Sequence, residues 1–239
     1  MGLPIAIVNI VLRTSTVTRA GFGTPNFISR HRNFVERVRT YQSLSALTDD
    51  CFTDEPMYIA GTQFLANTPR VSSFKISRRL ADPIFTPINI ATGTVYSMTL
   101  SAGGEEITLT YTATSGDDAS DISAGLVADI PVDDPIEDYL TISNETGSVK
   151  VLPVSSSVEY TVDDKENLSI EYVSTETAAD CYNAIIDVDS DFYFITADDH
   201  TSTFVTGMAA TVQATEKVFF TSSQESSALA TYTTAATDT

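Results

Sequence analysis

From Glu176 onward the sequence alternates helix-length segments with short, unbroken apolar runs: ETAADCYNAIIDV, DFYFITAD, TSTFVTGMAATVQAT and KVFFTSS. A strand that is apolar throughout must be covered on both faces, and strands separated by helices pair in parallel. This pattern points to an α/β fold, mixed α+β in detail, with a parallel-type sheet and packed helices. The early chain follows the same plan. In DEPMYIAGTQFLA, Asp54 caps a helix, Pro56 sits in its first turn, and Met57, Ala60, Gly61 and Phe64 form an i, i+3, i+4, i+7 stripe. Ser43 caps a shorter helix in YQSLSALTDD, and VSSFKISRR (Val71–Arg79) reads as a strand returning beside the first ones. KVFFTSS reads as another buried strand that would end the sheet without a covering neighbour, so further chain or a second chain is expected to complete it.

The middle of the chain has a different texture. ADPIFTPINIAT, between Leu80 and Thr92, carries prolines without a helical period and reads as a linker. TVYSMTL and EITLTYTAT then flank SAGG as a hairpin, with Ile107, Leu109, Tyr111 and Ala113 alternating with threonines. Asp117 caps a helix bearing Ile122, Leu126 and Ile130 on one face, and Pro131 stops it; YLTISNETGSVKVLPV and LSIEYVS supply more strands, with a turn at Asn144–Gly147. The expected organisation is an extended N-terminal arm (1–24), an α/β domain made of 25–85 and 176–239, and an inserted β-rich module with one helix (86–175).

Charge is spread unevenly over this plan. Of 239 residues, ten of the thirteen basic ones fall within 1–80 against five acids, so that stretch carries +5 while the chain carries −19. The acidic majority repels nucleic acid and membrane surfaces, whereas opposite charge at the two ends suits contact between copies. Internal pairing of the arginines is the alternative. IAIVNIVL (Ile5–Leu12) has no basic residues before it, contains Asn9 and precedes Arg13, so it reads as neither signal peptide nor membrane span. Cys51 and Cys181, far apart in sequence, read as small buried apolar residues in a reducing compartment.

Sequence signatures of catalysis are sparse. TRAGFGTPNFISRHRNF has Asn26 where a dinucleotide cradle needs its third glycine, and Pro25 pushes Thr24 towards extended geometry. His200 follows Asp198 and Asp199 at the end of a parallel strand, where α/β folds place ligands, and these three residues are the hydrolytic alternative. Asp187, Asp189 and Asp191 have calcium-loop spacing, but Phe192 replaces the turn glycine and Asp198 the closing glutamate. The basic and aromatic ISRHRNFVERVRTY mixture could track a nucleic-acid backbone, yet Glu36 and the acidic remainder oppose that. We therefore expect no catalytic, cofactor or metal site, and expect Arg30, Arg32, Arg37 and Arg39 to make charge contacts with acidic patches on neighbouring subunits.

Taken in order, VNIVLRTSTVTRAGFGTPNFISRH, FVERVRTYQSLSALTDD, DEPMYIAGTQFLANTPRVSSFKISRR and DFYFITADDHTSTFVTGMAATVQATEKVFFTSS resemble the tail sheath proteins of contractile-tailed bacteriophages. ITLTYTATSGDDASDISAGLVADI is similar to a hairpin-plus-helix module inserted in many of them. The resemblance covers nearly the whole chain, most closely 5–80 and 190–223, through turn glycines, aromatic positions and arginines rather than a catalytic signature. It implies a virion subunit, made in the host cytoplasm, that stacks in rings around a tail tube and exchanges strands with its neighbours. Its partners would be further copies of itself, the tube protein, and baseplate and terminator proteins. Ile5, Ile7, Val8, Ile10 and Leu12 would then form the donated strand, Arg13–Thr24 its hinge with freedom at Gly21 and Gly23, and Pro25 the stiff point of re-entry. Sheath proteins of this kind usually extend well past this length, so inward contacts cannot be mapped. A tail or capsid decoration module contacting particle or host is the alternative from a different class.

Overall fold

Phe27 and Ile28 are adjacent, both buried, and belong to different cores. In the computed structural model, which describes residues 23–222 except 67, 69 and 70, they lie on β1 (Pro25–Arg30) and point to opposite faces of one sheet. The chain continues through β2 (Val38–Tyr41), α1 (Leu44–Thr48), α2 (Pro56–Ala66) and β3 (Phe74–Arg79). Ser43 caps α1, its hydroxyl accepting the Ala46 N–H as expected. After the insert come α4 (Ala178–Val188), β11 (Phe194–Ala197), α5 (Ser202–Gln213) and β12 (Val218–Phe219). The sheet order is β12-β11-β1-β3-β2, parallel throughout except for β2, so this part is a mixed α/β domain. On one face Phe27, Phe74 and Ile76 pack with Leu47 and Met57 of α1 and α2; on the other, Ile28 and Ile195 pack with Cys181, Ile185, Phe204 and Met208 of α4 and α5.

The stripe on α2 has a tight spot. A Cβ at Gly61 would collide with the Leu47 side chain and come within 3.0 Å of the Phe74 ring, and both side chains are fully buried. Gly61→Val is expected to cost about 2 kcal/mol from overpacking, read as a lower urea midpoint; an unchanged midpoint would mean that α1 can move aside freely.

The segment read as a linker is a strand. β4 (Asp82–Pro87) begins two residues after β3 and pairs antiparallel with β10 (Leu168–Val173), Asp82 opposite Val173. Its prolines are tolerated because its other neighbour, β8 (Val149–Pro153), pairs only at Ile84 and Phe85. With β7 (Leu140–Asn144) these form a sheet in the order β10-β4-β8-β7. The expected hairpin is β5 (Val95–Ala102) and β6 (Glu105–Thr112), joined at the free edge of β5 by β9 (Tyr160–Glu166), a strand the sequence reading did not assign. The helix α3 (Ala119–Ala128) is capped by Asp118 rather than Asp117; Asp117 instead accepts from the Thr114 N–H. Ile122 and Leu126 bury α3 against Phe85, Met98, Leu109, Val149 and Val151, in a core that belongs almost wholly to the insert. The insert thus spans 82–173, with its two ends paired to each other, rather than 86–175. It carries seventeen acids against two lysines.

KVFFTSS departs from expectation as well. Among the described residues Val218 and Phe219 pair with β11, both half-buried, and the Phe220 N–H donates to the Ile195 carbonyl at 2.8 Å while Phe220 is 56 % exposed. Among the described residues the sheet therefore ends in a short, apolar strand, half-buried where a buried one was expected.

Candidate functional site

The carboxyl ends of β1 and β3 and the His31–Arg37 loop between β1 and β2 gather five of the six described arginines, with Arg39 beside them on β2. Arg30 donates from Nε to Asp198 at 3.2 Å and from Nη1 to the Tyr172 carbonyl at 3.4 Å. Arg32 donates from Nε to the Ala81 carbonyl (2.7 Å) and from Nη2 to Asp82 (3.0 Å), and its guanidinium lies 4.2 Å from the centre of the Tyr160 ring. Arg37 pairs with Glu176 at 2.8 Å. Arg39 pairs with Glu36 at 2.7 Å and Asp50 at 2.8 Å, and stacks on Phe34. Arg78, not singled out from the sequence, is the most deeply buried of these; it reaches Glu159 at 2.8 Å and the Val35 carbonyl. Arg79 holds Asp199 and the Glu176 carbonyl and stacks on Phe204.

Among the described residues all six arginines are thus ion-paired within the chain. Arg30, Arg32, Arg37 and Arg39, expected to reach acids on neighbouring subunits, thus each have an acid within the chain, the internal pairing given above as the alternative. A guanidinium at the end of a buried strand must be neutralised locally, and the acids of the insert and of the α4 and β11 ends lie closest. Arg32 and Arg78 are neutralised in this way across the boundary between the two parts, and Arg30 reaches the Tyr172 carbonyl over it, so the cluster is a structural joint. The Val162 N–H adds a backbone bond to the Arg32 carbonyl at 2.7 Å. Burial, with Arg32 and Arg37 nearby, lowers the Arg78 pKa against the pull of Glu159. His31, also buried, is held neutral by burial first and then by Arg78, Arg32 and Arg39.

The hydrolytic triad does not assemble. Asp198 is bound by Arg30 and Asp199 by Arg79 and the Thr201 N–H, while His200 is exposed at the rim of a shallow cleft with Phe27, Pro56 and Ile59. Burial raises the Asp198 pKa despite Arg30. The calcium spacing is used otherwise too: Asp189 takes the Lys75 ammonium at 2.5 Å and the Asp191 N–H at 2.8 Å, so a lysine stands where a cation would. Among the described residues no group of three or more His, Cys, Asp or Glu is placed to hold a metal, and no helix is long and apolar enough to cross a membrane. Cys51 and Cys181 are free and buried, and burial raises each thiol to about 12.

Ile5, Ile7, Val8, Ile10, Leu12 and Gly21 lie outside the described residues. Gly23 has φ +97°, a left-handed conformation that favours glycine, in keeping with a turn just before the sheet. Pro25 is already the first residue of β1, beside Phe194, where a missing N–H is tolerated. Comparison with protein-family models finds none that matches the chain, and comparison with curated proteins finds no match either.

Proposed function

We propose that this chain is a structural virion protein, a subunit of a contractile tail sheath that assembles with copies of itself around a tail tube, bounded by baseplate and terminator proteins. The observation that carries this reading is the sheet edge at β12, which has no further strand beside it among the described residues. β12 contributes two paired residues and leaves Phe220 beside Phe194 and largely exposed, a sheet margin of the kind proteins normally shorten, charge or cover. An extended apolar segment such as Ile5–Leu12 from another copy has the length and composition to add there as a strand. The ordered resemblance to sheath proteins supports the same role. So does the joint, where the candidate polar residues are consumed in holding the insert to the body.

The test is negative-stain microscopy of the purified full chain. Rings or tubes of regular repeat are expected; uniform monomers that instead bind intact particles or cells would favour the decoration role.

A further inference from the structure

Glu55 sits just before α2, where the α/β domain meets the insert, and is 6 % exposed. Every group that donates to its carboxylate is neutral. Asn33 Nδ2 lies 2.7 Å and the Phe52 N–H 3.2 Å from Oε2, and the Tyr172 hydroxyl lies 3.2 Å from Oε1. Asn33 and Phe52 belong to the α/β domain, Tyr172 to β10 of the insert. The Tyr172 hydroxyl is also 3.4 Å from Asn33 Oδ1.

This network has two arrangements. With Glu55 ionised, Tyr172 donates to Oε1. With Glu55 protonated at Oε1, the new O–H donates to the Tyr172 oxygen, Tyr172 turns its own hydrogen to Asn33 Oδ1, and Asn33 and Phe52 go on donating to Oε2. Both keep the donors satisfied, but only the second avoids a buried charge with no cation beside it.

We propose that Glu55 is a proton-operated latch between the α/β domain and the insert, tight when neutral and weakened when ionised. The surrounding titratable and charged groups fit this role. Asp54, paired with Lys165, opposes ionisation of Glu55; Cys51 and Tyr172 are kept protonated by burial; Arg32 turns its guanidinium away to Asp82 and Glu159. Burial raises Glu55 from an ordinary 4.5 to about 7, outweighing its three donors. A carboxyl raised in this way adds stability that is fully present below 4.5 and is lost as pH rises through about 7. His31, whose Nδ1 accepts the Asn33 N–H, is depressed and runs oppositely, losing stability as pH falls below 6.5. Only a difference measurement isolates Glu55.

That measurement is urea unfolding of the full chain and of Glu55→Gln between pH 5 and 8. From pH 5 to 7 the unfolding constant of the wild type relative to the variant is expected to rise about fortyfold in all. Amide exchange at Val162 and Tyr172, compared with the variant at the same pH, is expected to speed up as pH rises from about 5 to 7 and to level off above that. A ratio independent of pH, or exchange at the joint that tracks the variant at every pH, overturns the latch. Should Glu55→Gln fail to fold, carboxyl carbon NMR of the wild type and Tyr172→Phe decides: Tyr172→Phe removes a donor and should raise the Glu55 titration, whereas titration near 4.5 in both proteins overturns the proposal.

Discussion

Glu159→Gln is expected to lower the stability of the folded chain by about 2–3 kcal/mol, far more than a half-exposed carboxylate ordinarily contributes. Glu159 comes from the insert, just before β9, and serves two guanidiniums: Arg78 at 2.8 Å and Arg32 at 3.6 Å. Those side chains are 1 % and 6 % exposed, whereas Glu159 is 50 % exposed. Removing its charge leaves Arg78 buried with the Val35 carbonyl as its remaining side-chain partner and like charges nearby, and such a stranded charge costs several kcal/mol. The lower end of that range applies because water reaches the pair from the glutamate side. Glu36→Gln is the control. It weakens the contact of a half-exposed Arg39 with an exposed Glu36, and Arg39 keeps Asp50, so a change below about 0.5 kcal/mol is expected. Equal losses in the two variants would mean that the buried guanidiniums are not what the joint depends on.

Dividing the chain at the paired ends of the insert should have a larger and asymmetric effect. Residues 82–173 enclose their own core, from Phe85 and Met98 to Val151 and Leu168, and their termini meet at the Asp82–Val173 pair. That fragment is expected to unfold cooperatively by itself. The remainder, with Ala81 joined to Ser174 by a short Gly/Ser linker, loses Asp82, Glu159 and Tyr160 from Arg32 and Arg78 and should be strongly destabilised. Arg32→Met with Arg78→Met should restore much of the loss, because apolar side chains of similar size remove the need for partners. Excision at 86–175, the boundary expected from the sequence, should do worse, since it leaves the first residues of β4 without β10. Thermal unfolding followed by circular dichroism checks each piece; a fragment without a sigmoidal transition would make the insert part of the larger core.

Much of this architecture was legible because period and punctuation are local. The apolar run in DFYFITAD marked a buried strand, VSSFKISRR a strand returning beside the first ones, and Ser43, Pro56 and Pro131 marked helix limits that the structure keeps within a residue or two. β4 escaped because prolines argue against a strand unless its far side is known to be unpaired, and that is set by where β8 happens to end. β9 escaped because Tyr160 and Val162 give only one clear alternation before Asp163, Asp164 and Glu166 break the pattern. The arginines were found but their partners were not: Asp82, Glu159, Glu176 and Asp198 lie between 50 and 168 residues away from them, beyond any local pattern. Glu55 gave no signal at all, because its isolation from cations exists only once β10 has folded over it.

The most direct measurement of the central claim is assembly of the full chain beside a variant lacking residues 1–20, followed by light scattering and microscopy at equal concentration. Residues 25–222 hold the cores on both sides of the sheet, so the truncated protein should keep its unfolding transition. Regular rings or tubes from the full chain and none from the truncated one are the predicted result, with Ile7→Asp plus Ile10→Asp behaving like the truncation. Regular tubes from the truncated protein would contradict an arm that joins subunits and leave Gly23 as an ordinary surface turn.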